Sequence, residues 1–142
     1  MSISITDLSM SYGTQTVLNN ISFDIGEGEV VGFLGPNGAG KTTTMKIIAG
    51  ALSYKNGSVK VCGKEVSDNE MSTRALVGYL PEHNPLYSEM YVKEYLNFVA
   101  ETHGIKKEKE KLISELIDKV GLRTEFHKKI GQLSKGYRQR VG

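Results

Sequence analysis

Residues 35–42 read GPNGAGKT, a run of three glycines, one lysine and one threonine at the spacing G-x-x-x-x-G-K-T. That combination suits the holding of phosphate groups. A triphosphate carries several negative charges, and successive backbone N–H groups must wrap around it. The backbone conformations required are denied to a residue with a β-carbon, hence the glycines. Lys41 adds a full charge on a reaching stem, and the Thr42 hydroxyl can meet Mg²⁺. A helix starting here would aim its free N–H groups and partial positive charge at the same spot. The loop alone does not choose a class, because kinases, GTPases and transport ATPases all use it.

A second cluster lies at residues 133–140, LSKGYRQR. Ser134 reads as a helix N-cap with Gly136 just inside the first turn. Taken alone, a hydroxyl and a small residue at a helix start fit either an ordinary capped helix or a second anion site. With the glycine loop upstream, this stretch resembles the ATP-binding-cassette (ABC) ATPases, whose signature is LSGGQ followed by x-Q-R. Leu133, Ser134, Gly136, Gln139 and Arg140 match it, while Lys135 and Tyr137 depart from it. Residues 78–87, GYLPEHNPLY, together with LSKGYRQR, look most like the drug-export and gliding-motility branches.

The resemblance spans the whole chain and implies an α/β fold, the P-loop NTPase fold of ABC type. Its parts would be an antiparallel β subdomain, a RecA-like core cut short and a helical subdomain. Residues 1–81 would hold the β subdomain and the ATP-binding core. Residues 82–142 would hold a hinge loop, the helical subdomain and the signature. The implied ligands are ATP and Mg²⁺. Tyr12 would stack on adenine and Val17 would touch it. Gly35, Pro36, Asn37, Gly38, Ala39, Gly40, Lys41, Thr42 and Thr43 would surround the phosphates. Ser134, Lys135, Gly136 and Tyr137 would act on nucleotide held by a second subunit. Lys41 and Glu82 take the catalytic positions, and Thr42 and Glu82 the metal positions. Glu82 stands where the family has glutamine. A carboxylate there can accept a hydrogen bond, meet Mg²⁺ or serve only as a hinge residue, and these readings stay open.

The resemblance further implies an ATPase subunit that energises a separate membrane-spanning permease, of export type, as a homodimer or with a paired ATPase. It would be cytoplasmic, peripheral to the inner face of the membrane, with no nucleic-acid partner. The family follows its signature with an apolar strand ending in Asp-Glu, the glutamate being the general base. No apolar run in residues 1–142 ends in paired carboxylates. A partial protein without its general base and with little turnover is therefore expected. The alternatives are a fragment that binds nucleotide or a partner without hydrolysis, and a non-transport ABC ATPase.

Composition bounds these readings. The chain has 142 residues, suiting one domain. It has 18 basic against 16 acidic residues, which leaves no electrostatic footprint for nucleic acid. No apolar run approaches the ~18 residues of a membrane span, and residues 1–10 lack the basic flank and apolar core of an export signal. A lone cysteine, Cys62, excludes an internal disulfide and reads as a small core residue. His83, beside Glu82, reads as a solvated loop histidine, and His103 and His127 show no metal-ligand spacing.

The elements that must position the glycine loop follow from periodicity. Residues 2–10 alternate loosely as a strand, Ser11–Gly13 is turn-like, and residues 17–25 form a second strand. Glu29–Leu34 is a short continuous apolar run, expected to be a strand buried on both faces. Thr42–Ala51 reads as a helix with Met45, Ile48, Ala49 and Leu52 on its apolar face. Asn56-Gly57 reads as a turn, Val59 and Val61 as a strand, Gly63 as a turn and residues 76–80, LVGYL, as a further strand. Beyond Pro81 the spacing becomes helical. Val92, Tyr95, Leu96 and Val99 form one stripe, and Leu112, Ile113, Leu116, Ile117 and Val120 a second. His103-Gly104 separates the two helices and Gly121 ends the second. The run KKEKEK at 106–111 reads as a solvated face, with Glu115–Lys119 a favourable i,i+4 pair.

Overall fold

A computed structural model describes residues 2–67 and 71–142. Two compact units emerge, Met1–Tyr79 and Leu80–Gly142.

In the first unit, strands β1 (Ile3–Tyr12) and β2 (Gln15–Ile25) form an antiparallel hairpin across a two-residue turn at Gly13-Thr14, with Gly13 at φ +58°. This is tighter than the expected turn, so both strands run longer. The loose alternation of β1 has a physical cause. Ile5 pairs with Phe23 and Leu8 with Ile21, so β1 carries one extra residue there. Leu8 then pairs with Ile21 and Met10 with Leu18, and the extra residue moves to β2. Each bulge contains a left-handed residue, Asp7 at φ +52° and Asn20 at φ +51°. Each of those two residues donates its backbone N–H to a cross-strand serine hydroxyl, Asp7 to Ser22 and Asn20 to Ser9, both at 2.8 Å. The first bulge turns Leu8 to the same face as Ile5, and both are buried.

Strand β3 (Asn56–Val61) pairs with the other edge of β1, and the short β4 (Lys64–Glu65) with β3, giving the antiparallel order β2-β1-β3-β4. Asn56-Gly57 opens β3 and is not the expected turn. A Cβ on Gly57 would lie 2.6 Å from the Leu8 Cα, so glycine is what lets β3 close on the bulged part of β1. Cys62 is not in the core: it is exposed in the β3–β4 turn at φ +48°. The Glu65 carboxylate locks this hairpin, accepting from the Tyr54 hydroxyl at 2.8 Å and the Ser58 hydroxyl at 2.9 Å.

Helix α1 (Lys41–Ile48) lays Thr44, Ile47 and Ile48 on a core made with Ile5, Leu8, Leu18, Val59, Val61 and Val66. Gly50, at φ +66°, ends it before the expected Ala51. Its buried face is rotated from the one read in the sequence, since Ile47 is fully buried and Met45 is 41% exposed. Neither remaining strand forms. Residues 29–34 are irregular, with Val30 and Leu34 almost wholly exposed. Residues 76–80 follow a four-residue helix, α2 (Met71–Arg74), and are also irregular. A strand exists through the ladder of its neighbours. Among the described residues neither segment has one.

In the second unit, α3 (Val92–Thr102) and α4 (Lys109–Lys119) bury Val92, Ala100, Ile113 and Ile117 together with Leu122, Ile130, Leu133 and Val141. The second stripe is narrower than expected: Leu112, Leu116 and Val120 are exposed. Gly121, at φ +66°, ends α4 as expected. The charged run pairs as Lys109–Glu101 at 2.8 Å and Lys111–Glu108 at 3.9 Å, in place of Glu115–Lys119. A 3₁₀ turn, Ile130–Gln132, leads into α5 (Lys135–Val141).

Candidate functional site

The glycine loop stands between the irregular segment 29–34 and α1. Residues 35–39 are exposed and Gly40 is buried. Gly38 and Gly40 lie at φ +85° and +83°. At Gly40 a side chain is excluded twice: the conformation is left-handed, and a Cβ would collide with Leu18 and come within 2.9 Å of the Val17 carbonyl. The loop is thus seated on β2. A Pro36 carbonyl to Ala39 N–H bond of 3.2 Å closes its turn.

The Lys41 ammonium folds back over the loop and donates to the carbonyls of Gly35 and Pro36, each at 2.7 Å. An ammonium has three donors, so one remains beyond these two. The first intrahelical bond runs from Thr44 N–H to the Gly40 carbonyl at 2.9 Å. The N–H groups of Lys41, Thr42 and Thr43 therefore have no partner within the helix. No acidic residue lies in the first turn of α1 to offset its positive end. Buried Thr44 adds a hydroxyl bond of 3.1 Å to the same Gly40 carbonyl. Sequence reasoning passed over Thr44, whose only signal was its place four residues after Gly40. A helix start with unpaired N–H groups and a cation beside it has the chemistry that suits a multiply charged anion.

Tyr12 is 51% exposed at the end of β1, beside the hairpin turn. Val17 reaches the loop through its backbone, as the neighbour that excludes a Cβ at Gly40. Thr42 presents an exposed hydroxyl in the first turn of α1. Among the described residues, no group of three or more His, Cys, Asp or Glu side chains is placed to hold a metal. A hard cation would instead take the Thr42 hydroxyl and phosphate oxygens, and the donor set fits that.

The second unit carries the other cluster. Ser134 caps α5, its hydroxyl accepting the Tyr137 N–H at 3.3 Å. Leu133 before it is buried, while Ser134, Lys135 and Gly136 are exposed. Nothing lies within 4 Å of a Cβ built on Gly136. The half-buried Tyr137 ring has the Arg140 guanidinium 5.1 Å from its centre. Glu82 and His83 are both exposed. The Glu82 carbonyl accepts a 2.6 Å hydrogen bond from Gln139 Nε2, a contact across 57 residues that no local pattern announces.

Three charged groups of this unit, all outside the two clusters, have shifted pKa values. The Arg123 guanidinium bonds Asp118, holding that carboxyl below the usual range and raising its own pKa. The Lys109 ammonium likewise holds the Glu101 carboxyl below the usual range. Burial raises the Tyr95 phenol, and neighbouring Tyr87 adds to the rise.

The ABC transporter family profile matches residues 18–142, most of the chain. This chain belongs to that family. An uncharacterised ABC transporter ATP-binding protein of Bacillus subtilis, YxlF, is 42% identical over 141 residues, covering 99% of this chain and 46% of its own length. The bacitracin transport ATP-binding protein BcrA of Bacillus licheniformis is 33% identical over 140 residues, covering 99% of this chain and 45% of its own. A solved ATP-binding subunit of an ABC transporter superposes with a TM-score of 0.84 at 32% identity, over 99% of this chain and 59% of that one. The chain therefore spans about half the length of the curated relatives it matches. The fold is the ABC-type P-loop NTPase fold, with its antiparallel β sheet and helical unit.

Proposed function

We propose that these residues bind Mg·ATP and belong to an ATPase subunit that powers a separate membrane-spanning permease. The observation that carries this is the exposed loop 35–39, seated on β2 through the buried Gly40 with the Lys41 ammonium drawn across it. Residues 35–43 hold the phosphates, Tyr12 stacks on adenine and Val17 lies beside it. Thr42 is the protein's own ligand to Mg²⁺, with Glu82 as the second candidate. When bound, Mg²⁺ neutralises charge on the phosphate oxygens. Lys41 supplies the charge that develops with the transferred phosphoryl group. Ser134, Lys135, Gly136 and Tyr137 serve the nucleotide of a paired subunit, for which the exposure of the first three leaves room.

The boundaries follow this division of labour, with the nucleotide core in residues 1–81 and the hinge loop, helices and signature in 82–142. Among the described residues no helix is long and apolar enough to cross a membrane. In this reading the permease is a separate partner and the subunit lies peripherally at the cytoplasmic face. Export is the favoured direction, supported by the similarity to a bacitracin transport protein. Nucleotide binding is the activity proposed for these residues.

The test is ATP binding by calorimetry. Lys41→Ala should weaken affinity roughly ten- to a hundredfold, from the ~1.5–3 kcal/mol of a hydrogen bond to a charged group. Lys46→Ala, in the last turn of α1, should leave it unchanged. Equal affinities for parent and Lys41→Ala would remove the site from the loop.

A further inference from the structure

Arg138, Gln139 and Arg140 all reach main-chain carbonyls outside α5, and Gln139 reaches the one at Glu82. It is a half-buried polar residue on α5 whose side chain reaches neither solvent-facing helix neighbours nor its own backbone, but the main chain of the loop at Glu82. The donor–acceptor distance is 2.6 Å, at the short end for an amide bond. The same loop also meets the residue that follows α5. Asn84 packs its amide nitrogen against Gly142, so closely that a Cβ there would overlap it, and that nitrogen is buried without a hydrogen-bond partner. The loop is therefore held to α5 by one made bond, while its neighbouring contact leaves a buried donor unpaired, which opposes docking. Within the loop, the Leu86 N–H bonds the Asn84 carbonyl at 2.9 Å, so its turn moves with these residues.

At the other end of the same helix Ser134 forms the N-cap. Gln139 lies five positions after Ser134, a span of about 7.5 Å at 1.5 Å per residue. The bond from Arg138 N–H to the Ser134 carbonyl at 2.9 Å ties this span into one rigid piece.

We propose that Gln139 is a positioning residue that clamps the loop at Glu82 to the signature helix, so that the loop and the Ser134 end of α5 move together. It touches neither nucleotide nor metal. It acts through the Glu82 backbone, so the identity of the Glu82 side chain is immaterial to the clamp. The inference rests on the reading of Glu82 and Ser134 as parts of the ATPase site for its functional meaning, and on geometry alone for its existence.

Amide hydrogen exchange on the whole chain without nucleotide tests it, because nucleotide-free exchange is independent of whether the glycine loop binds ATP. Gln139→Glu keeps the shape but faces the Glu82 carbonyl with an acceptor. It should speed exchange at Leu86 and in the 82–87 segment about five- to tenfold, the factor for one lost hydrogen bond. Exchange in the middle of α3 and α4 should stay as in the parent. Gln139→Lys, which restores a donor of similar reach, should return the loop most of the way to parental exchange. Unchanged exchange in Gln139→Glu would overturn the clamp. So would equal acceleration in both variants extending into α3 and α4, which would mark Gln139 as a packing residue only. ATP affinity measured on the same variants should be unaltered. A loss of ATP binding by the parent would count against the nucleotide reading and leave the clamp standing.

Discussion

Alanine at Gly40 and alanine at Gly38 make a matched pair. Both glycines sit at nearly the same left-handed φ, +83° and +85°. An L-residue there costs about 1–2 kcal/mol. At Gly38 that is the whole cost, because nothing lies within 4 Å of the new Cβ. At Gly40 the Cβ also runs into Leu18 and approaches the Val17 carbonyl to 2.9 Å. Overpacking adds about 1–3 kcal/mol, for a total of roughly 2–5 kcal/mol. Part of the backbone of β2 is in the way, so relief requires the loop to lift off the sheet. Urea unfolding of both variants, followed by circular dichroism, measures the difference. Gly40→Ala should fall below Gly38→Ala by about 1–3 kcal/mol. Equal midpoints and slopes would refute the claim that β2 seats the loop through Gly40.

Two further outcomes follow from the second unit. Ser134→Ala removes the hydroxyl that accepts the Tyr137 N–H and should cost about 1 kcal/mol in urea unfolding; an unchanged midpoint would mean the cap contributes nothing. In Arg123→Gln the Asp118 carboxyl should return upward to its ordinary pKa in a carbon-13 NMR titration. The sign is that of a lowered acid: the pair stabilises above the ordinary aspartate pKa and fades as pH falls through the lowered value. Parent and variant should therefore differ in stability at neutral pH and converge in strong acid, whereas a difference persisting there would assign the effect of Arg123 to packing.

Much of the site was legible because its requirements are local. A left-handed turn needs glycine, a helix start needs a hydroxyl cap, and phosphate needs N–H groups and a cation. The glycines, the helix start and the cation are written within eight consecutive residues at Gly35–Thr42, and the hydroxyl cap at Ser134. Helix ends at Gly50 and Gly121 obey the same local rule, though only Gly121 was read correctly. The bulges in the hairpin were visible only as untidy alternation, since Ser9 and Ser22 reveal their role when the register places them opposite Asn20 and Asp7.

Other features depended on partners distant in sequence. The apolar run at 29–34 has strand composition, yet a strand is made by its neighbours, and the described residues supply none. Periodicity gave α1 an apolar side but could not distinguish Met45 from Ile47 as its centre, because that depends on where β1 and β3 press against it. Cys62 was read as core from alternation, and the tight β3–β4 turn placed it outside. The amino-acid sequence by itself determined the chemistry of the two clusters, since that chemistry is a property of a few adjacent backbone groups. Tertiary structure alone decided that Gly40 rests on Val17 and Leu18 and that Gln139 holds Glu82, because a hydrogen bond between residues 57 positions apart exists only after packing brings them together.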